Sequence, residues 1–167
     1  MVFTKHELIG SLQHEVHILL HLAGKIDRAQ LDYRPTAKQR STIELLRYLS
    51  IMGPGLVQAA KAGTFDGAAW GATVEMANKR DLAATIAAIA AHKDQYAALL
   101  GEMTDADFRA EIEMFGRKTT KGAFIVNSIL CGCAAYRTQL FCYLKSCGRT
   151  ELGTMNLWAG IDPTPAS

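Results

Sequence analysis

Residues 120–147 read TKGAFIVNSILCGCAAYRTQLFCYLKSC, and their pattern predicts one long helix. Apolar side chains recur at intervals of three or four residues, the spacing that gathers them on one face of an α-helix. Gly148, which comes next, is a typical residue at a helix end. The predicted buried face contains Ile125, Ile129, Cys133, Tyr136, Leu140, Leu144 and Cys147.

Three earlier segments show the same periodicity, so the chain is predicted to contain four long helices. They run from Lys5 to Gly24, from Ser41 to Ala62 and from about Asp81 to Leu100. The second begins with a capping box, because the hydroxyl of Ser41 and the carboxylate of Glu44 can satisfy free amide groups at a helix start. Four such helices without a convincing strand predict an all-α, four-helix bundle.

The remaining segments are predicted to connect these helices. Residues 64–78, which carry Trp70, are expected to form a loop, and residues 104–119 a second connection. Within the latter, residues 111–115 alternate in polarity and favour a short extended piece. We expect residues 1–167 to form one domain, with residues 149–167 as a C-terminal tail that Trp158 packs onto the bundle.

Composition excludes several classes of protein. The net charge is +2, from 18 basic and 16 acidic residues, which gives no dominant attraction to nucleic acid or to a membrane surface. No apolar run reaches the length of about 18 residues that a membrane span needs. The first residues lack a basic region followed by an apolar stretch, so we expect no signal peptide and a cytoplasmic location.

The four cysteines, Cys131, Cys133, Cys142 and Cys147, all fall on the predicted fourth helix. Disulfides within one helix have poor geometry, and cytosolic thiols stay reduced. We therefore expect them to be small packing side chains, with a reactive thiol as the alternative.

Three passages give the chain a resemblance to the DinB/YfiT-like superfamily. Residues 31–36 with 40–47, LDYRPT and RSTIELLR, resemble its approach into the second helix. Residues 136–140, YRTQL, resemble its His-Arg-x-Gln-Leu signature. The tail passages 152–154 and 156–163, LGT and NLWAGIDP, resemble the tail of some members. The resemblance implies a four-helix bundle of the DinB/YfiT-like type.

The resemblance also implies a divalent metal, often nickel or zinc, held by three histidines. The corresponding positions here are Tyr48, Gly132 and Tyr136, and the fourth helix contains no histidine. Neutral tyrosine is a poor ligand for these metals, and glycine has no side chain. We therefore expect a degenerate metal site, with no metal and no cofactor.

The five histidines lie elsewhere, at His6, His14, His17, His21 and His92. His14, His17 and His21 cluster on one side of the first helix, opposite its apolar stripe, and no carboxylate of that helix completes the set. We expect solvated side chains or a dimer contact, with a metal site as the alternative. His92 is expected to be a partly exposed structural residue, or to border the cleft.

The positions of the lost metal site are expected to form a pocket. If the family geometry holds, Tyr48 and Tyr136 face each other, Cys133 lies one turn before Tyr136, and Gly132 leaves room beside them. Two readings stay open: the tyrosines fill the hole as core, or they line a metal-free pocket for a small molecule. Arg137 is expected to form a salt bridge or lie at the end of the bundle.

Two function classes remain open. The first is a non-catalytic protein that binds a small molecule or is associated with stress. The second, implied by the resemblance, is a thiol-dependent transferase, isomerase or hydrolase, although the missing histidines argue against its metal mechanism, and no catalytic residue is identified. We also expect a homodimer. This expectation comes from the resemblance and from the apolar side chains of Ile18 and Leu22, which lie beside the buried stripe of the first helix.

Overall fold

The computed structural model describes residues 3–163 of the chain. Residues 164–167 of the predicted tail, and the first two residues, lie outside the described residues. The helices are α1 (Lys5–Ala23), α2 (Thr42–Ala62), α3 (Gly67–Asn78), α4 (Leu82–Ala90), α5 (His92–Gly101), α6 (Asp105–Arg109), α7 (Lys121–Phe124), α8 (Cys131–Ser146) and α9 (Thr154–Trp158). The strands are β1 (Glu111–Met114) and β2 (Arg117–Thr120).

The predicted helix bundle is confirmed. Its four parts are α1, α2, the pair α4 and α5, and the run from α7 to α8. Side chains from all four parts are completely buried in one apolar core, among them Leu12, Leu45, Ile89 and Ile129. This burial, rather than helix propensity alone, stabilises the helices.

The start of α2 follows the local signal in the sequence. Ser41 accepts a hydrogen bond from the amide of Glu44, and the Ser41 amide donates to the Glu44 carboxylate at 2.8 Å. The capping box is therefore formed as predicted. The helix continues through Pro54 and ends at Gly63, whose positive φ of 76° suits glycine.

The prediction of a loop over residues 64–78 is wrong, because α3 occupies most of this segment. Asp66 caps it by accepting hydrogen bonds from the amides of Ala68 and Ala69 at 3.0 Å. Of its twelve residues only Ala77 is buried, so α3 lacks the broad apolar stripe that reveals a helix in sequence. It lies over α2 through the half-buried Trp70.

The predicted extended piece is one strand of a small antiparallel hairpin. Glu111 pairs with Thr120 and Met114 with Arg117. The turn residues Phe115 and Gly116 both have positive φ, at 53° and 74°, as a two-residue hairpin turn requires.

The fourth helix of the bundle is not regular. Its residues Ile125–Leu130 form a π-helical turn between α7 and α8. This wider turn directly precedes Cys131, and after it Leu140 and Leu144 are buried as predicted, whereas Cys133 and Tyr136 are half-buried. Arg137 and Tyr143 are buried, at 5% and 2% exposure, although neither belongs to the predicted buried face.

The structure bears on the apolar surface expected for a dimer and on membrane-spanning helices. Ile18 and Leu22 are completely buried within the single chain, so they supply no apolar surface for a partner. The homodimer therefore stays a prediction without their support, and a sedimentation measurement would test it. Among residues 3–163, no helix is long and apolar enough to cross a membrane.

Candidate functional site

Two of the predicted pocket residues meet across the bundle. The rings of Tyr48 on α2 and Tyr136 on α8 lie edge to face, with centroids 5.2 Å apart. The Arg40 guanidinium carbon lies 4.0 Å from the centroid of the Tyr48 ring, and the Trp70 ring meets Tyr48 edge-on at 6.4 Å. Tyr48 is thus held between an aromatic ring inside the bundle and two side chains at its surface.

The predicted pocket residue Cys133 contacts a buried tyrosine of α5. The Cys133 Sγ lies 3.9 Å from the hydroxyl of Tyr96 on α5, and Tyr96 is completely buried. A Cβ placed on Gly53 would lie only 1.7 Å from the Tyr96 hydroxyl oxygen. The glycine beside Pro54 in α2 is the signal in the sequence that a side chain approaches this helix closely.

Burial favours the neutral forms of Tyr48, Tyr96 and Cys133. Burial, with a smaller contribution from the neighbouring Tyr136, raises the pKa of Tyr48 to about 12. Burial likewise raises the pKa of the Cys133 thiol to about 12 and holds the pKa of Tyr96 above its ordinary value. We call Tyr48, Tyr96, Cys133 and Tyr136 the neutral cluster.

Gly132 does not leave open space beside the tyrosines, contrary to expectation. The thioether sulfur and methyl group of Met52 both lie 3.7 Å from the position that a Cβ on Gly132 would take. Met52 is itself 1% exposed, so this side chain fills the gap between α2 and α8. Gly132 therefore gives access to no ligand from this direction.

The residues at the positions where the family resemblance implies a metal do not fit nickel or zinc. The three side chains are two phenols and a hydrogen atom, whereas these metals take imidazole, thiolate or carboxylate ligands. Within the described range 3–163, no group of three or more His, Cys, Asp or Glu residues is arranged to hold a metal ion.

His14 and His17 are exposed, as expected for solvated side chains, whereas His21 is half-buried, and the tail contacts this face of α1. The His14 Nε2 lies 3.1 Å from the Trp158 carbonyl oxygen. The His21 Nε2 lies 3.0 Å from the side-chain amide nitrogen of Asn156 and 3.7 Å from the Asp162 carboxylate. A carboxylate therefore does approach this face, from the tail, which sequence spacing on α1 could not reveal.

His92 is more buried than expected. Only 4% of it is exposed, and its Nε2 lies 3.0 Å from the Ser50 carbonyl oxygen, which fixes this nitrogen as the hydrogen-bond donor. Burial lowers the pKa of His92 to about 4. Its ring packs edge-on against Tyr96, with centroids 5.8 Å apart, so it is neutral and borders the neutral cluster.

Arg137 forms the predicted salt bridge, with a partner that the sequence did not indicate. Its Nε and Nη2 donate to the two carboxylate oxygens of Glu15 at 2.5 and 3.1 Å. The Arg137 side chain is 6% exposed and that of Glu15 11%. Arg137 also donates to the Leu157 carbonyl and lies under the Trp158 ring, so this ion pair joins α1, α8 and the tail.

An open groove lies on the surface side of Tyr48. It has a volume of about 450 Å³ and is lined by Arg40, Glu44, Arg47, Tyr48, Ile51, Trp70, Val74, Ala77 and Asn78. Larger hollows lie elsewhere, one of about 600 Å³ on the opposite side of Trp70 and one of about 640 Å³ beside the Glu15–Arg137 pair. Of these three hollows among residues 3–163, the 450 Å³ groove is the one lined by a residue of the predicted pocket, and we call it the Tyr48 groove.

The structure is similar to the crystal structure of a DinB-like protein, YjoA, from Bacillus subtilis. The TM-score is 0.69 with 21% sequence identity, over 89% of this chain and 96% of that one. No protein-family model matches the sequence, and no curated protein does. The likeness confirms the DinB-like fold that the sequence passages implied, and at 21% identity it concerns the fold alone.

Proposed function

We propose that this chain is a non-catalytic protein that binds a small molecule in the Tyr48 groove without a metal. The observation that carries the proposal is the position of Tyr48. It stands where the family resemblance places a metal ligand, and its ring forms a wall of the groove between Arg40 and Trp70. A cleft with aromatic walls and a few polar groups is the usual form of a small-molecule site.

The chemistry of the cluster favours binding over catalysis. A thiol acts as a nucleophile through its thiolate, and the raised pKa of Cys133, about 12, keeps it protonated. His92 uses its Nε2 on the Ser50 carbonyl, and its lowered pKa makes it a weak base. The alternative of a thiol-dependent enzyme therefore lacks an activated nucleophile in the neutral cluster.

The metal part of the proposal is tested by the metal content of protein purified without a histidine tag or a nickel column. We expect far less than one nickel or zinc ion per chain. The matched variant combines Tyr48→His, Gly132→His and Tyr136→His, and it should gain affinity for nickel if these positions mark the family's site. Stoichiometric metal in the unmodified protein would overturn the proposal.

The binding part is tested with N-phenyl-1-naphthylamine, a neutral aromatic probe that fluoresces in an apolar site. We expect saturable binding, weakened about tenfold by Trp70→Ala, because an aromatic–aromatic contact contributes on the order of 1 kcal/mol. Trp158→Ala is the matched control, since this tryptophan lies beside Arg137 and outside the groove. No saturable binding, or equal losses in the two variants, would refute a site in the groove.

A further inference from the structure

The Tyr48 groove contains positive charge that has no negative partner. Within the described range 3–163, no carboxylate lies within 4 Å of the guanidinium groups of Arg40 or Arg47, both of which line the groove. Elsewhere in that range, Arg34, Arg137 and Arg149 each contact a carboxylate. Arg28, Arg80, Arg109 and Arg117 of that range contact no carboxylate either, and Arg40 and Arg47 are distinguished by their place in the groove wall.

The one carboxylate in the groove wall is already engaged. Glu44 accepts from the Ser41 amide at 2.8 Å through one oxygen and from Arg34 at 3.3 Å through the other. Both contacts lower the pKa of Glu44, so it stays ionised but is balanced by Arg34. The remaining charge of the groove wall is that of Arg40 and Arg47.

Both arginines are held in place by contacts that leave donors free. Arg47 donates through Nε and Nη2 to the Arg80 carbonyl at 2.8 and 2.6 Å, which leaves its Nη1 with no partner in the described range. Arg40 stacks on the Tyr48 ring, and its side chain makes no hydrogen bond to any residue between 3 and 163. A stacked guanidinium keeps its N–H groups at its edge, where they match the two oxygens of a carboxylate or phosphate.

We infer that the Tyr48 groove selects an aromatic anion, a flat ring that carries a carboxylate or a comparable oxyanion. The ring would lie against Tyr48 and Trp70, and the anionic group would accept hydrogen bonds from Arg40 and from the Nη1 of Arg47. This inference rests on the proposed binding function and names the class of ligand. It predicts discrimination by charge between two ligands of the same shape.

The test uses 1-naphthoate and 1-naphthamide as competitors of bound N-phenyl-1-naphthylamine. The two compounds share the ring system and differ by one carboxylate against one neutral amide. We expect naphthoate to displace the probe at about tenfold lower concentration, because the N–H groups of arginine bind an ionised carboxylate more strongly than a neutral amide. Arg40→Gln should remove most of this preference, because it should weaken displacement by naphthoate far more than displacement by naphthamide.

Lys38→Gln is the matched control, because Lys38 also precedes α2 and is exposed. This variant removes one positive charge without changing a residue that lines the groove. Equal displacement by the two competitors, or equal losses in Arg40→Gln and Lys38→Gln, would overturn the inference and leave the proposed function standing. Failure of the probe itself to bind would instead refute the proposed function. The two failures are thus distinguishable in one titration series.

Discussion

Tyr136 and Arg137 are neighbours on α8, yet they belong to two polar clusters of opposite character. Tyr136 faces Tyr48 in the neutral cluster, where burial raises pKa values and keeps the groups uncharged. Arg137 faces Glu15 in a buried ion pair that the tail closes. A buried charge needs its partner, whereas a neutral hydroxyl can change partners at small cost. Substitutions on the Tyr136 side are therefore expected to cost less stability than substitutions in the ion pair.

The largest effect is expected on the charged side. Arg137→Met should lower the free energy of unfolding by about 3–5 kcal/mol, because it leaves the Glu15 carboxylate buried without its partner. Urea denaturation followed by circular dichroism measures this change. The double variant Glu15→Gln with Arg137→Met should recover most of the loss. Equal stability of the single and double variants would show that the ion pair is not what the tail and helices depend on.

A positive charge beside the neutral cluster is expected to destabilise the fold, and protonation of His92 provides a way to measure this effect. Its folded pKa, about 4, lies below the ordinary 6.5, so the unfolded chain binds the proton more readily. The free energy of unfolding is therefore highest above about pH 6.5, where His92 is neutral in both states, and it falls as the pH falls towards 4. The expected total loss is about 3 kcal/mol, at about 1.36 kcal/mol per unit of pKa difference.

Carboxylates also titrate in this pH range, so the informative quantity is a difference. The free energy of unfolding of the unmodified protein should fall more steeply between pH 6.5 and 4 than that of His92→Gln. The glutamine keeps a donor for the Ser50 carbonyl but takes up no proton. Parallel pH profiles would contradict a buried neutral histidine beside Tyr96.

A close approach of helices defines the inner end of the neutral cluster. Gly53→Ala places a methyl group 1.7 Å from the Tyr96 hydroxyl oxygen, and we expect a loss of about 2 kcal/mol from overpacking. In a Tyr96→Phe background the same change should cost less, because the contacting oxygen is gone. A loss of equal size in both backgrounds would mean that the strain arises elsewhere, and thermal unfolding of the four proteins decides this.

These clusters also separate what the sequence could predict from what it could not. The capping box of Ser41 and Glu44 and the helix periodicity are local signals, and they located the helices of the bundle. The facing of Tyr48 and Tyr136 came from the family resemblance. Glu15, Met52 and Tyr96 were missed as site residues because their roles depend on the packing between helices, which no local pattern encodes.

Local signals also failed where an element buries little apolar surface, or where its contacts come from a distant part of the sequence. Helix α3 buries only Ala77, so its periodicity is weak, and no local pattern indicated the π-helical turn before Cys131. The tail reaches α1 across 144 residues, between His14 and Trp158, and so placed Asp162 where spacing on α1 indicated no acid.

The smallest expected effect is a gain in stability, and it compares Gly132 with Gly53, the two glycines beside the neutral cluster. Gly132→Ala should raise the free energy of unfolding by about 0.5–1 kcal/mol, because alanine favours a helix interior more than glycine does. Its Cβ would meet Met52 at 3.7 Å, an ordinary contact distance, whereas the same change at Gly53 meets Tyr96 at 1.7 Å. Chemical denaturation of both variants under one set of conditions makes the comparison. A destabilised Gly132→Ala would show that Met52 is pressed against α8, so that the gap left by the glycine is already fully used by the core.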